Sequence, residues 1–134
     1  MTLISIITPC FNEEENIEAC IERLKQVFNE DLSQYEYEHI FTDNSSTDNT
    51  INILRDKAKT DVRIKVLRNS KNVGAFKNMF SGLSHAKGDI ILVQLPADLQ
   101  DPPEVIPEMI NIMEEKNSEI VFGVRKNRKE NFIT

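Results

Sequence analysis

The stretch Gly88-Asp89-Ile90-Ile91-Leu92-Val93-Gln94-Leu95-Pro96-Ala97-Asp98-Leu99-Gln100-Asp101-Pro102-Pro103-Glu104 decides how the chain is read. Gly88 is placed where a glycine ends a preceding helix. Residues 90–93 form an unbroken apolar run, the mark of a parallel strand covered on both faces, and a strand is expected over residues 89–95. A polar loop follows. Asp101, Pro102 and Glu104 then fall at the cap, first and third positions of a helix, an aspartate form of the capping box. That pattern accounts for Asp101. It leaves Asp98, three residues earlier and just past a buried strand, without a structural task. A carboxylate there can hold a hard divalent cation that bridges diphosphate oxygens.

Working outward, the same alternation recurs. Further strands are expected over residues 3–7, 38–42, 62–67 and 120–124. Between them lie amphipathic helices. The first places Ile17, Ile21, Leu24 and Phe28 on one face, with Glu13, Glu14 and Glu15 in its first turn. The second starts near Asp48 and turns Ile51, Leu54 and Ala58 inward. The third carries Phe76, Phe80 and Leu83, and the fourth turns Ile106, Met109, Ile110 and Met113 inward. Strands alternating with helices give a three-layer α/β/α architecture around a mainly parallel sheet. Ligands in such sheets bind beyond the carboxyl ends of the strands. The loops to search are therefore residues 8–15, 43–48 and 96–101, all polar.

Each candidate in those loops has a plain reading beside a functional one. Asp43 suits an Asx-turn, or a hydrogen bond to a base or ribose. Thr47 and Asp48 suit a helix cap. Phe11 fits a core, or the flank of a nucleobase, beside Pro9 and Glu13. Asn72 and Gly74 make a tight turn, and Lys77 is either solvated or set against a phosphate.

Composition narrows the function. At 134 residues, 40% hydrophobic and 28% charged, the chain suits one globular domain. A formal net charge of −6 provides no overall basic face for nucleic acid. Arg125, Lys126, Arg128 and Lys129 read as a solvated basic tail, or as a contact to a phosphate or an anionic membrane surface. Cys10 and Cys20 have no metal-ligand or redox spacing and read as free thiols of a reducing compartment. The first residues show no signal peptide, and no apolar run is long enough to cross a bilayer.

Taken in order, the motifs resemble those of family-2 glycosyltransferases. Thr8-Pro9-Cys10-Phe11-Asn12-Glu13-Glu14 is similar to that family's first-strand motif. Asp43-Asn44-Ser45-Ser46-Thr47-Asp48 is similar to its DDGSTD segment, with Asn44 and Ser45 as variants. Asn72-Val73-Gly74 and Gly88-Asp89 match the run leading to the metal motif, and Gly123-Val124-Arg125 matches the segment after a fifth strand. Ala97-Asp98-Leu99-Gln100-Asp101-Pro102-Pro103-Glu104 matches the branch that transfers sugars to polyprenyl phosphates, the dolichol-phosphate mannosyltransferase-like branch.

The resemblance implies a Rossmann-like glycosyltransferase A fold, a nucleotide-diphosphate-sugar donor, and a Mg²⁺ or Mn²⁺ ion. It implies inverting transfer to a hydroxyl or phosphate acceptor, in the setting of cell-envelope polysaccharide synthesis at the cytoplasmic, inner face of a membrane. Carried over by position, Pro9, Phe11, Glu13, Asp43, Lys77, Ala97 and Asp98 contact the nucleotide, and Asp98 holds the metal. Two departures stand out. The first acid of the family's Asp-x-Asp motif is Pro96 here, which brings no side-chain ligand. The family's catalytic domain also continues well past a fifth strand, so the chain reads as a shortened piece whose exposed sheet edge would favour a homo-oligomer. The rival reading is a non-catalytic nucleotide-binding or regulatory module. A response-regulator-like domain is disfavoured, because the third strand ends in Leu67-Arg68-Asn69 without a phosphoacceptor aspartate.

Overall fold

The computed structural model describes residues 1–125. Lys126, Arg128 and Lys129 of the expected basic tail lie outside them. The elements run β1 (Leu3–Cys10), α1 (Ile17–Asp31), β2 (Glu36–Asp43), α2 (Thr50–Thr60), β3 (Ile64–Arg68), α3 (Ala75–His85), β4 (Ile90–Leu92), a 3₁₀ turn (Pro103–Val105) and α4 (Ile106–Glu115). The described chain parts into two compact units, Met1–Glu104 and the segment from Val105 onward. Among the described residues, no helix is long and apolar enough to cross a membrane.

The first unit holds one four-stranded sheet in the order β3-β2-β1-β4, with every pairing parallel. The order follows from right-handed crossovers. Successive crossovers through α1 and α2 step the chain one way. The crossover through α3 returns it past β1 to the other edge, so its helix lies on the opposite face. Side-chain alternation agrees. Phe28 of α1 stacks on Tyr37 of β2, with ring centroids 4.1 Å apart. A Cβ on Gly82 of α3 would stand 2.6 Å from Ile7 and 2.9 Å from Thr42, which point to the other face. The core is the two faces of β1 and β2: Ile4, Ile6, Ile7, Ile40 and Phe41 are buried, as are Ile17, Ile21, Leu24 and Phe28 of α1, the expected stripe.

The α3–β4 connection is locked from beneath. Glu38 is buried and accepts hydrogen bonds from Ser5 Oγ at 2.6 Å and from the Lys87 N–H at 2.8 Å, and it pairs with Lys65. Burial alone would raise this carboxyl. The hydrogen bonds from Lys65, Ser5 and Lys87 overcome that and hold it below its ordinary value. Gly88 does not end α3, whose C-cap is Ala86. It is required for space, since a Cβ there would lie 2.6 Å from both the nitrogen and the Oγ of Ser5.

Several expectations are corrected. The fourth strand spans only Ile90–Leu92 and is not buried on both faces: Ile91 and Val93 are 37% and 39% exposed. Among the described residues it is an edge strand with β1 as its one neighbour, so its apolar run is not sandwiched. Residues 120–124 form no strand. Ile120, Phe122 and Val124 are exposed, and an apolar run that pairs with no neighbouring strand does not become one. The strand expected from residue 62 begins at Ile64, leaving Val62 exposed. Helix α1 begins at Ile17, so Glu13 to Glu15 lie in the preceding turn. The second helix, expected near Asp48, begins at Thr50. Helix α4 begins at Ile106 after a 3₁₀ turn, so the expected box at Asp101 does not head it, and Glu104 forms a two-pronged pair with Arg23 instead. Of the four residues expected inward on α4, Ile106 and Ile110 are buried, while Met109 and Met113 are partly exposed. On α3 the buried residues are Asn78 and Gly82, while Phe76 and Phe80 face outward.

Candidate functional site

All four strands point the same way, so all four loops leaving their carboxyl ends share one rim. The register places Cys10 beside Asp43, and Asp43 beside Arg68. Each loop turns through one residue in the left-handed region: Asn12 (φ 52°), Ser45 (φ 64°), Gly74 (φ 86°) and Leu99 (φ 58°). Asparagine and glycine adopt this conformation readily. A leucine does so at a cost of order 1 kcal/mol, and such strain gathers at ligand sites. Leu99 is tied by its N–H to the Pro96 carbonyl at 3.0 Å, and Asp98 Oδ1 accepts from the Gln100 N–H at 3.2 Å. The tight turn leaves the Asp98 side chain exposed at the rim.

The loops are stitched together by short polar side chains. Asn12 Oδ1 accepts from the N–H groups of Thr47 at 2.9 Å and Asp48 at 3.3 Å, while the Asn12 N–H donates to Ser46 Oγ. The Glu13 N–H donates to Thr50 Oγ1. Asp48 accepts from the Thr50 N–H and hydroxyl at the start of α2; hydrogen bonds from Thr50 and Glu14 outweigh burial and keep its carboxyl below the usual range. Asn44, only 4% exposed, joins the next loop. Its Oδ1 accepts from Val73 N–H at 2.9 Å and Asn69 Nδ2 at 3.2 Å, and its Nδ2 donates to Asn72 Oδ1 at 3.0 Å. Asn69 continues to buried Asn78, whose Nδ2 donates to the Thr42 carbonyl.

These loops bound a cleft of about 360 Å³, lined by Pro9, Cys10, Phe11, Glu13, Asn44, Asn72, Ala75, Asn78, Gln94, Pro96, Ala97 and Asp98. Its size falls in the range of small-ligand sites. A slightly larger hollow of about 410 Å³ lies elsewhere, beside Tyr35, Glu36 and Val62 at the amino ends of the strands. The topology gives the rim cleft the stronger claim to a ligand.

The structure thus gathers Pro9, Phe11, Glu13, Ala97 and Asp98 around one cavity. Asp43 stands at the same rim but is fully buried. It accepts from Ser46 Oγ at 2.5 Å and Ser46 N–H at 3.2 Å, with Arg68 Nε at 3.6 Å, the Asx-turn of the plainer reading. Lys77 is exposed in the first turn of α3 and is not a lining residue. Sequence reasoning missed the tasks of Asn12, Asn44, Asn69 and Asn78. Their signal was faint: asparagines in turn clusters, a residue type that tolerates left-handed backbone and bonds to nearby main chain.

Both cysteines are free and buried. Burial raises the Cys10 thiol well above its ordinary value and pushes Cys20 up to about 12, so neither is a ready nucleophile. His39 is neutral: burial lowers it to about 3, and its Nε2 lies 2.8 Å from Thr8 Oγ1. Among the described residues no three histidine, cysteine, aspartate or glutamate side chains cluster as a metal cage.

Comparison with known proteins bears on the family and the fold. The model of the family described as glycosyl transferase family 2 matches residues 5–133. An uncharacterized glycosyltransferase of Bacillus subtilis (strain 168), YkcC, is 41% identical over 125 residues, covering 93% of this chain and 38% of its own length. A prophage bactoprenol glucosyl transferase homolog of Escherichia coli (strain K12) is 36% identical over 125 residues, covering 93% of this chain and 40% of its own. The chain therefore spans about two fifths of the length of these relatives. Among solved structures, the mannosyltransferase PcManGT of Pyrobaculum calidifontis, in complex with GDP-Man and Mn²⁺, matches with a TM-score of 0.68 at 21% identity, over 82% of this chain and 32% of that one, a likeness of fold. With a parallel sheet of the glycosyltransferase A type and a family match along nearly its whole length, the chain belongs to glycosyl transferase family 2.

Proposed function

We propose that the chain, as a single nucleotide-sugar-binding domain over residues 1–134, forms the N-terminal, donor-binding part of a glycosyltransferase catalytic domain. The observation that carries this reading is the rim cleft, where an exposed carboxylate, Asp98, stands among Pro9, Phe11, Glu13 and Ala97. Phe11, 46% exposed, offers its ring to a nucleobase, and Pro9 and Glu13 complete that wall. Asp43 reaches a base or ribose by exchanging Ser46 for a ligand donor. Lys77 meets a phosphate from the first turn of α3, near the amide-rich end of that helix.

One carboxylate does not make a metal cage, but it suits a cation that arrives with its ligand. Mg²⁺ in particular takes one or two carboxylates and fills its shell with phosphate oxygens and water. Asp98 is the residue that would hold Mg²⁺ or Mn²⁺, and the ion would offset charge on the departing diphosphate. The acceptor oxygen attacks the anomeric carbon as the bond to the diphosphate breaks, with inversion. Bactoprenol in a relative's name favours a lipid phosphate acceptor. Such an oxygen is already anionic and needs little help from a base. That reading places the chain at the cytoplasmic face of a membrane, as a peripheral component.

A second reading is a nucleotide-binding module without turnover. It is favoured by Pro96, which lines the cleft without a carboxylate and whose carbonyl is taken by the Leu99 N–H. Calorimetry with UDP and GDP, with and without Mn²⁺, tests both. Metal-dependent binding lost in Asp98→Ala supports the donor site; equal affinity in that variant sinks the assignment. Metal-dependent sugar transfer by a chain of the relatives' length separates enzyme from module.

A further inference from the structure

We propose that the outward face of α3, centred on Phe76 and Phe80, docks the chain on an anionic lipid surface. Helix α3 packs on the sheet through Asn78 and Gly82, and Gly82 allows an approach so close that no larger residue fits. The opposite face is left apolar. Phe76 is 75% exposed and Phe80 57%, one turn apart and therefore side by side. Partly exposed Met79 and Leu83 extend the stripe.

Charge identifies the occupant. The chain has 22 acidic residues, yet residues 68–88 contain none, while Arg68, Lys71, Lys77 and Lys87 all fall there. Lys71, Lys77 and Lys87 are exposed, and none joins an ion pair among the described residues. In a chain of net charge −6, this is a locally basic stretch that carries the aromatic ridge. Aromatic rings entering the headgroup boundary, with lysines at the phosphates, is the pattern of interfacial helices. An acidic protein groove would also accept the lysines, but two bare phenylalanines on a short helix fit a deformable apolar layer better than a flat polar surface.

The position matters for the cleft. Ala75, the residue before Phe76, lines it, so a surface gripping α3 lies at its mouth. This deepens the lipid-phosphate acceptor reading and rests on it for its purpose. The contact itself requires only exposed rings and cations.

The test is flotation of the 134-residue chain with vesicles of phosphatidylglycerol and, separately, phosphatidylcholine. Binding is expected to the anionic vesicles, weaker to the neutral ones and weakened by salt. It should fall by on the order of tenfold or more in a Phe76→Ser/Phe80→Ser variant. Both side chains are exposed, so the variant should keep the parent's thermal midpoint and nucleotide affinity; a second variant, Lys71→Gln/Lys87→Gln, which spares Lys77, should weaken anionic binding alone. Undiminished flotation of the serine variant overturns the proposal. So does a concentration-dependent dimer that the serine variant abolishes, since the ridge would then meet a second copy. Nucleotide calorimetry run in parallel reports the donor cleft separately, so a failure of one reading is not mistaken for failure of the other.

Discussion

Replacing Asn44 by aspartate changes one atom in the seam between two rim loops, and its cost can be worked from the geometry. Asn44 Oδ1 accepts from Val73 N–H and Asn69 Nδ2, and a carboxylate keeps both bonds. The lost donor is Nδ2, which now reaches Asn72 Oδ1 at 3.0 Å. In Asn44→Asp, two acceptor oxygens face each other. Asn72 cannot turn its amide to help, because the same Oδ1 accepts from the Gly74 N–H at 2.9 Å. One net hydrogen bond of about 1 kcal/mol is lost, and a buried oxygen is left unpaired for about 1–2 more, so destabilisation of roughly 2–3 kcal/mol is expected at pH 7. With a urea slope of about 1–3 kcal/mol/M, the midpoint should fall by roughly 0.7–3 M. The pH dependence carries a definite sign. Facing an acceptor, the introduced carboxyl has a folded-state pKa above its unfolded value of about 3.9. Protonation supplies the missing donor, so the deficit relative to the parent is full above the folded pKa and shrinks as pH falls through it. Urea unfolding of both proteins at pH 7 and near pH 4 measures this. A midpoint unchanged at pH 7, or a deficit that widens on acidification, would refute the reasoning that this seam holds the loops.

Other expectations concern the scaffold. Gly88→Ala should destabilise by roughly 1–3 kcal/mol in urea unfolding, because its new methyl would meet the Ser5 backbone, which cannot retreat as a flexible side-chain end can. Glu38, whose folded pKa lies below its ordinary value, contributes stability that is fully present above the unfolded pKa and lost as pH falls through the lower folded one. Glu38→Gln should therefore flatten the acid limb of the stability profile, and an unchanged limb counts against the buried pair. Cys10 and Cys20 should react slowly with a thiol reagent at pH 8 in the folded chain and rapidly in urea, since burial raises both thiols. Fast reaction of the native protein would contradict their burial.

By itself the sequence determined the class of the fold. The branched run in β1, the α1 stripe at Ile17, Ile21, Leu24 and Phe28, and the turn clusters between them are local patterns with local causes, and they suffice to fix a parallel α/β sheet and the rim to search. Asp98 was singled out as the carboxylate left over when Asp101 was read as a helix cap; the rim cleft is lined by Asp98, although α4 starts at Ile106 and Asp101 does not cap it. Tertiary structure decided what depends on neighbours. Whether β4 is buried, whether residues 120–124 pair at all, and which way Phe76 and Phe80 face are set by which edge or surface each element meets, and periodicity carries no record of that. The same holds at the site. Asp43 and Asn44 are adjacent in one turn, yet the first is sealed against Ser46 and the second lines the cleft, because consecutive side chains leave a strand end in different directions.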